Sequence, residues 1–306
     1  MRTRPLGSRG PEISAIGYGA WEAGGDEWGP NESESGIIEA IQAGLDAGIG
    51  WIDTAEVYGD GVSERLVGKA IEGRRDDVIV ASKVAPRSQG SGFLPDQVRK
   101  ACEGSLERLG TDRLDLYQLH WPDEEGTPVE ETWGAMTTLQ DEGKVRSIGV
   151  SNFDRQLIER CLAIRHVDSL QPEFSMLNRE HAELIRWCGE QGVGVVSYGP
   201  LAFGLLTGAV TADTRFPPGD WRGENRSEGP FADLTGSLEV VDRLRPVAER
   251  LECSLAQLAL AWNVHQPGVT AAIAGSRNPA HVRANAAAGD IELDEATLAE
   301  LDAILA

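Results

Sequence analysis

Four side chains suited to moving a proton stand at the ends of three successive strand-like runs. Asp53 closes WIDT (51–54), and Tyr58 follows in the loop. Lys83 lies near the end of DVIVASKV (77–84) and His120 near the end of LDLYQLHW (114–121). A phenol has a pKa of about 10 and is a weak acid at neutral pH. A neighbouring ammonium favours the phenolate and lowers that value. A buried ammonium needs a counter-charge, which Asp53 would supply, and His120 would donate a hydrogen bond to the same substrate oxygen. Together they form a proton donor poised at a developing alkoxide. That suits reduction of a carbonyl, once hydride arrives from elsewhere. Taken singly, each has a plainer reading: a turn cap, a half-buried loop aromatic, a solvated strand-end charge, and a core histidine between Leu119 and Trp121. Their joint occurrence at successive strand ends is what favours a site.

The chain has no H-E-x-x-H and no metal-ligand cluster, so no metal is expected and hydride must come from an organic cofactor. The segment AGSRNPAHVRAN (274–285) offers a place for one. Gly275 permits close backbone approach, Ser276 carries a hydroxyl, and a helix starting near Pro279 points its positive end at the same spot. Arg277 and His281 would face the cofactor and Arg283 solvent. This is a local basic cluster in a chain of formal charge −21. The same negative charge argues against nucleic acid or an anionic membrane as partner.

The elements that must position these groups read as eight strand-like runs, each followed by a helix-like segment. The runs are 13–21, 51–54, 77–84, 114–121, 145–153, 169–174, 193–199 and 270–275. The helical segments are 33–48, 63–72, 95–109, 129–142, 154–164, 179–191, 238–251 and 279–288. Eight βα units in 306 residues predict one (β/α)₈ TIM barrel domain over 1–306. A doubly wound sheet is the alternative, but no G-x-G-x-x-G turn follows the first run. Asn31 or Ser33, Ser63 with Glu64, and Asp154 are candidate helix caps. DAGIGW, DEGKVR and EQGVGV each place a glycine where a helix should stop. Outside the repeat, residues 1–12 are expected to form a hairpin on the barrel floor. A long loop, 201–237, follows strand seven, and residues 293–306 are expected to form an extra helix. Active sites of such barrels sit at the C-terminal strand ends, so Trp21 and Trp121 should wall the substrate pocket, with Trp28, Phe203 and Trp221 nearby.

Hydrophobic residues make up 41%, enough for a large core, and no apolar run approaches the roughly 20 residues of a membrane span. The N-terminus lacks the apolar stretch of a signal peptide, so a cytoplasmic protein is expected. Cys102, Cys161, Cys188 and Cys253 are scattered in helix-like segments and read as small buried hydrophobes.

The motifs DTAEVYG, the lysine of VIVASKV, LYQLHW and GVSNF occur in an order that resembles the aldo-keto reductase superfamily across nearly the whole chain. The resemblance implies that Tyr58 is the general acid/base, tuned by Lys83, Asp53 and His120. It implies that Ser276 and Arg277 hold the 2′-phosphate of NADP(H), with Asn285 near the adenine; NAD(H) is the alternative, with Arg277 stacked on the adenine. It further implies that Ser151, Asn152 and Gln171 bond the nicotinamide carboxamide and that Tyr198 stacks on its ring. Gly199, Leu201 and Gly204 would approach the pyrophosphate. Gly199 stands where many relatives have serine, and His281 where glutamine or arginine is usual. The loop from Phe203 would fold over the dinucleotide, with Arg215, Arg222 and Arg226 adding positive charge. The expected function is NADPH-dependent reduction of small-molecule aldehydes or ketones. The alternatives are a nucleotide-sensing regulatory protein on the same scaffold, like channel-associated β subunits, and a barrel hydrolase. The hydrolase needs a second strand-end acid.

Overall fold

Side chains two residues apart on a strand share a face, and here that rule separates a packed floor from a reactive mouth. The computed structural model describes residues 1–25, 27–29, 33–86, 92–123, 126–224 and 229–306, with the backbone alone for Glu224. A hairpin of β1 (Thr3–Pro5) and β2 (Glu12–Ser14) precedes eight parallel strands. These are β3 (Ile16–Gly19), β4 (Trp51–Asp53), β5 (Ile79–Val84), β6 (Leu114–Leu119), β7 (Val145–Ser151), β8 (Ser169–Gln171), β9 (Gly194–Ser197) and β10 (Ala271–Ala274). They close in chain order, β10 pairing with both β9 and β3. The (β/α)₈ barrel expected from the sequence is therefore present.

Inside the barrel, Trp51, Leu116, Val196 and Ala271 pack with Leu6 and Ile13 of the hairpin, which plugs the floor. The Trp51 indole lies against Gly17, where an added Cβ would come within 2.2 Å of the ring. Its N–H donates to Ser14 O at 2.9 Å. Two residues above Trp51 stands Asp53, and two above Ala81 stands Lys83, so the interior turns polar towards the strand ends. The hairpin reaches Ser14, two residues beyond the expected span, because Thr3 pairs with Ser14. The first predicted strand is thus divided between the floor and the barrel.

The surrounding helices are α1 (Glu34–Asp46), α2 (Val62–Ala70), α3 (Pro95–Leu109), α4 (Val129–Asp141), α5 (Arg155–Leu162) and α6 (Ala182–Glu190). They continue with the short α7 (Trp221–Glu224), then α8 (Leu234–Arg250), α9 (Leu255–His265), α10 (Pro279–Ala287) and the terminal α11 (Glu295–Leu305). Ser33 and Asp154 cap α1 and α5 as expected, accepting from Gly36 N at 3.3 Å and Leu157 N at 2.8 Å; Asn31 lies outside the described residues. Ser63 does not cap α2. Its hydroxyl is buried and donates to Ala20 O at 2.7 Å, while Gly61, at φ 78°, starts the helix. The glycines expected to stop helices, Gly48, Gly143 and Gly192, all take positive φ.

Two helices escape the sequence reading, the short α7 inside the expected long loop and α9. The connection from β9 to β10 carries both α8 and α9, and α9 is almost entirely buried. Cys102, Cys161 and Cys188 are buried in α3, α5 and α6, whereas Cys253 sits in the turn between α8 and α9 and is partly exposed. Among the described residues no helix is long and apolar enough to cross a membrane.

Candidate active site

The ends of β4, β5 and β6 bring the four proton-moving side chains together. Lys83 Nζ donates to Asp53 Oδ1 at 2.5 Å, to Thr54 O at 3.0 Å and to the Tyr58 hydroxyl at 3.3 Å. The same hydroxyl lies 3.5 Å from His120 Nε2. Lys83 is wholly buried and Asp53 nearly so, while Tyr58 keeps part of its ring exposed. An ammonium so deep is tolerated because a carboxylate and a carbonyl take its protons.

Burial also sets the protonation states. It lifts the Tyr58 phenol well above its usual range, with the Asp53 charge adding to the effect. The sequence-based expectation of a lowered phenol is thus not met: burial raises it most, and the carboxylate that neutralises Lys83 adds to the rise. Burial pulls Lys83 down, against the opposing pull of Asp53. Burial and then the Lys83 charge hold His120 well below the usual histidine range, so its imidazole is neutral at pH 7. His120 Nδ1 has no hydrogen-bond partner among the described residues, and the ring stacks on Trp121 at 3.7 Å.

The residues assigned to a nicotinamide lie beside this group and bond to one another. Gln171 Nε2 donates to Asp53 Oδ2 at 2.9 Å, so Gln171 also belongs to the Lys83–Asp53 network. Ser151 Oγ donates to Gln171 O at 2.9 Å, and Asn152 Nδ2 donates to His120 O at 3.1 Å. Tyr198 donates to Asn152 Oδ1 at 3.0 Å. Gly199 and Gly204 take φ of 65° and 104° in the turn around Leu201, and a Cβ on Gly204 would meet only the tip of Arg222, at 3.4 Å. That open backbone suits the close approach of a phosphate.

At the end of β10, the Ser276 hydroxyl and the His281 imidazole are 3.5 Å apart at the start of α10, with Gly275 one residue before. Asn285 is buried one turn below, and Arg283 points to solvent. These groups fit an anionic adenosine phosphate: a hydroxyl, an imidazole and a helix N-terminus converge. Arg277 is not turned to this spot. It donates to Trp28 O at 2.8 Å and Gly29 O at 3.2 Å, and lies 3.9 Å from Glu22. Glu22, which the sequence reading missed, has its carboxyl raised by burial, with Arg277 opposing.

An aromatic wall rises over Tyr58. Trp21 stacks against Tyr58 at 6.2 Å and against Trp221 at 5.6 Å, and Phe203 meets Trp221 edge-on at 4.7 Å. The insert after β9 crosses to the loop after β3: Trp28 bridges Asp220, and Trp221 N donates to Glu27 O at 2.9 Å. Arg222 does not add free charge, because Asp220 takes its guanidinium at 2.6 and 2.9 Å. Arg215 bonds carbonyls of its own turn, and Arg226 lies outside the described residues.

Comparison with known proteins agrees with this geometry. The family model described as "Aldo/keto reductase family" matches residues 15–306. The chain is 37% identical to "Aldo-keto reductase YhdN" of Bacillus subtilis, over 93% of this chain and 87% of that one. It is 32% identical to the "NADH-specific methylglyoxal reductase" of Escherichia coli, over 97% and 96%. Its fold matches the solved structure of an aldo-keto reductase from Klebsiella pneumoniae in complex with NADPH, with TM-score 0.77 and 33% identity, over 99% and 95%. The chain belongs to the aldo/keto reductase family.

Proposed function

We propose that this protein reduces aldehydes or ketones to alcohols with a reduced nicotinamide dinucleotide, and that Tyr58 supplies the proton. The observation that carries this reading is the Tyr58 hydroxyl lying between Lys83 Nζ, at 3.3 Å, and His120 Nε2, at 3.5 Å. A carbonyl oxygen entering that gap meets a phenol and an imidazole at hydrogen-bonding range. Because burial keeps the phenol protonated at neutral pH, Tyr58 is an acid ready to give its proton to the oxygen. The buried Lys83 ammonium, anchored by Asp53, stabilises the phenolate left behind. His120, neutral, orients the carbonyl by a hydrogen bond.

The dinucleotide, when bound, supplies hydride to the carbonyl carbon. Asn152, Ser151 and Gln171 would hold its carboxamide and Tyr198 would stack on its ring. Gly199, Leu201 and Gly204 would let the pyrophosphate approach. Ser276, Arg277, His281 and Asn285 would hold the adenosine end. Taking a 2′-phosphate requires Arg277 to leave the carbonyls of Trp28 and Gly29. NADP(H) is the proposed cofactor on the strength of the basic cluster and the NADPH-bound Klebsiella relative, and the NADH-specific name of the Escherichia coli relative keeps NAD(H) as the second reading.

Loss of reduced-nucleotide absorbance with a panel of carbonyls, run with NADPH and NADH, tests the reading. Tyr58→Phe should keep nucleotide binding, seen by tryptophan quenching, and lose about 100-fold or more of turnover, as expected of a general acid. Equal rates from both proteins would remove Tyr58 from the role. Binding without turnover on any carbonyl would favour a nucleotide-sensing protein.

A further inference from the structure

Glu27 stands on the rim of the aromatic wall, and its carboxylate accepts the indole N–H of Trp21. Trp21 in turn stacks against the Tyr58 ring. One indole therefore separates this carboxylate from the proposed proton donor. The Glu27 main chain is pinned as well, its carbonyl accepting from Trp221 N at 2.9 Å.

Three cations near the mouth are matched. Arg222 is held by Asp220 and sandwiched between the rings of Trp28 and Phe216, at 4.6 and 4.5 Å. Arg277 leans on Glu22, and Lys83 is held by Asp53. Among the described residues Glu27 has no ion-pair partner, and it remains exposed. After burial, Asp53 and Tyr198, the Glu27 charge contributes to the raised phenol, consistent with a field that reaches the reacting oxygen.

We infer that Glu27 is a specificity-determining residue: its carboxylate, which has no ion-pair partner among the described residues, makes the pocket accept uncharged and cationic carbonyl compounds and turn away those that carry a carboxylate. The inference rests on the reductase reading above and adds a substrate class to it. A carboxylate fixed in place by the indole N–H stands at a set distance from the site, so its charge discriminates at short range. The aromatic walls favour a cation over an anion in the wild type and the variant alike, so the change between the two proteins isolates the contribution of Glu27.

Three para-substituted benzaldehydes test this: para-nitrobenzaldehyde, para-formylbenzoate and para-(trimethylammonio)benzaldehyde, each with the wild type and Glu27→Gln. Glutamine keeps an acceptor oxygen for Trp21 and removes the charge. The variant should raise kcat/KM for the anionic aldehyde about threefold to tenfold, lower it for the cationic one by a similar factor, and change the neutral one by less than about twofold. In the wild type the gap between cationic and anionic substrates should shrink from about 20 mM to about 300 mM salt, and in the variant, which keeps the field of the rest of the acidic chain, it should shrink less. Parallel changes on all three aldehydes, or unchanged ratios, would overturn the inference while leaving the reductase reading intact. No turnover of any carbonyl by the wild type would overturn both.

Discussion

His120 shows how burial dictates chemistry at the scale of one side chain. Its folded-state pKa is depressed, first by burial and then by Lys83. The unfolded chain, with a histidine near 6.5, takes up the proton first as pH falls. The stability linked to this group is therefore intact above about pH 6.5 and is lost as pH falls below it, towards the folded-state value. Replacing His120 with Phe should flatten that loss, measured as the difference in denaturation midpoint between pH 7 and pH 5. A wild-type reduction rate with no inflection between about pH 6 and 8 should accompany it, because neither His120 nor the raised Tyr58 phenol changes charge there. At this scale the site was largely legible in the sequence: Asp53, Tyr58, Lys83 and His120 end three consecutive strands, and those strands are neighbours. The hydrogen bond from Gln171 to Asp53 was not legible, because it joins positions 118 apart across the barrel. Nor was the direction of the phenol shift, which depends on how deeply the hydroxyl sits.

The elements were legible where they alternate in polarity and obscure where they do not. The strands stand out as short apolar runs, and the caps Ser33 and Asp154 and the stopping glycines punctuate them. Helix α9 does not stand out. LAQLALAWNVH is apolar nearly all round because it is enclosed, and a helix without a polar face gives no amphipathic period. Its one sequence signal was the capping box of Ser254 and Gln257, with Ser254 N–H donating to Gln257 Oε1 at 3.0 Å and Gln257 N–H donating to Ser254 Oγ at 3.2 Å. The hairpin of β1 and β2 works at the opposite end of the barrel from Tyr58. Leu6 plugs the floor at 1% exposure, and Arg4 ties β1 to Val264 O at 2.6 Å and Val269 O at 3.1 Å. Leu6→Ala should cost about 2–5 kcal/mol of stability by leaving a cavity under Trp51. Urea denaturation measures that loss. The kcat/KM of the folded fraction should stay unchanged, since none of the residues proposed for catalysis lies in the hairpin; a parallel loss of activity would show that the floor sets the geometry of the mouth.

Across the whole molecule, 49 acidic residues face 28 basic ones, and the formal charge is −21. Many surface pairs, such as Arg99 with Glu142 and Arg250 with Glu300, are solvent-exposed and contribute little each. The excess negative charge repels itself over distances comparable with the Debye length, about 10 Å at 0.1 M salt. Added salt weakens both terms, but the repulsion is summed over many unpaired carboxylates, whereas the exposed attractions are short-ranged and individually small. Net stabilisation by salt follows. Raising sodium chloride from about 20 mM to about 200 mM should increase Tm by about 2 °C or more, corresponding to roughly 1 kcal/mol for a chain of this size. Sucrose at matched osmolality serves as the control for exclusion from the surface. A fall in Tm would mean that the exposed ion pairs outweigh the repulsion, and the same salt series would then be expected to loosen the contacts of Arg277 and Arg222 with the loop after β3.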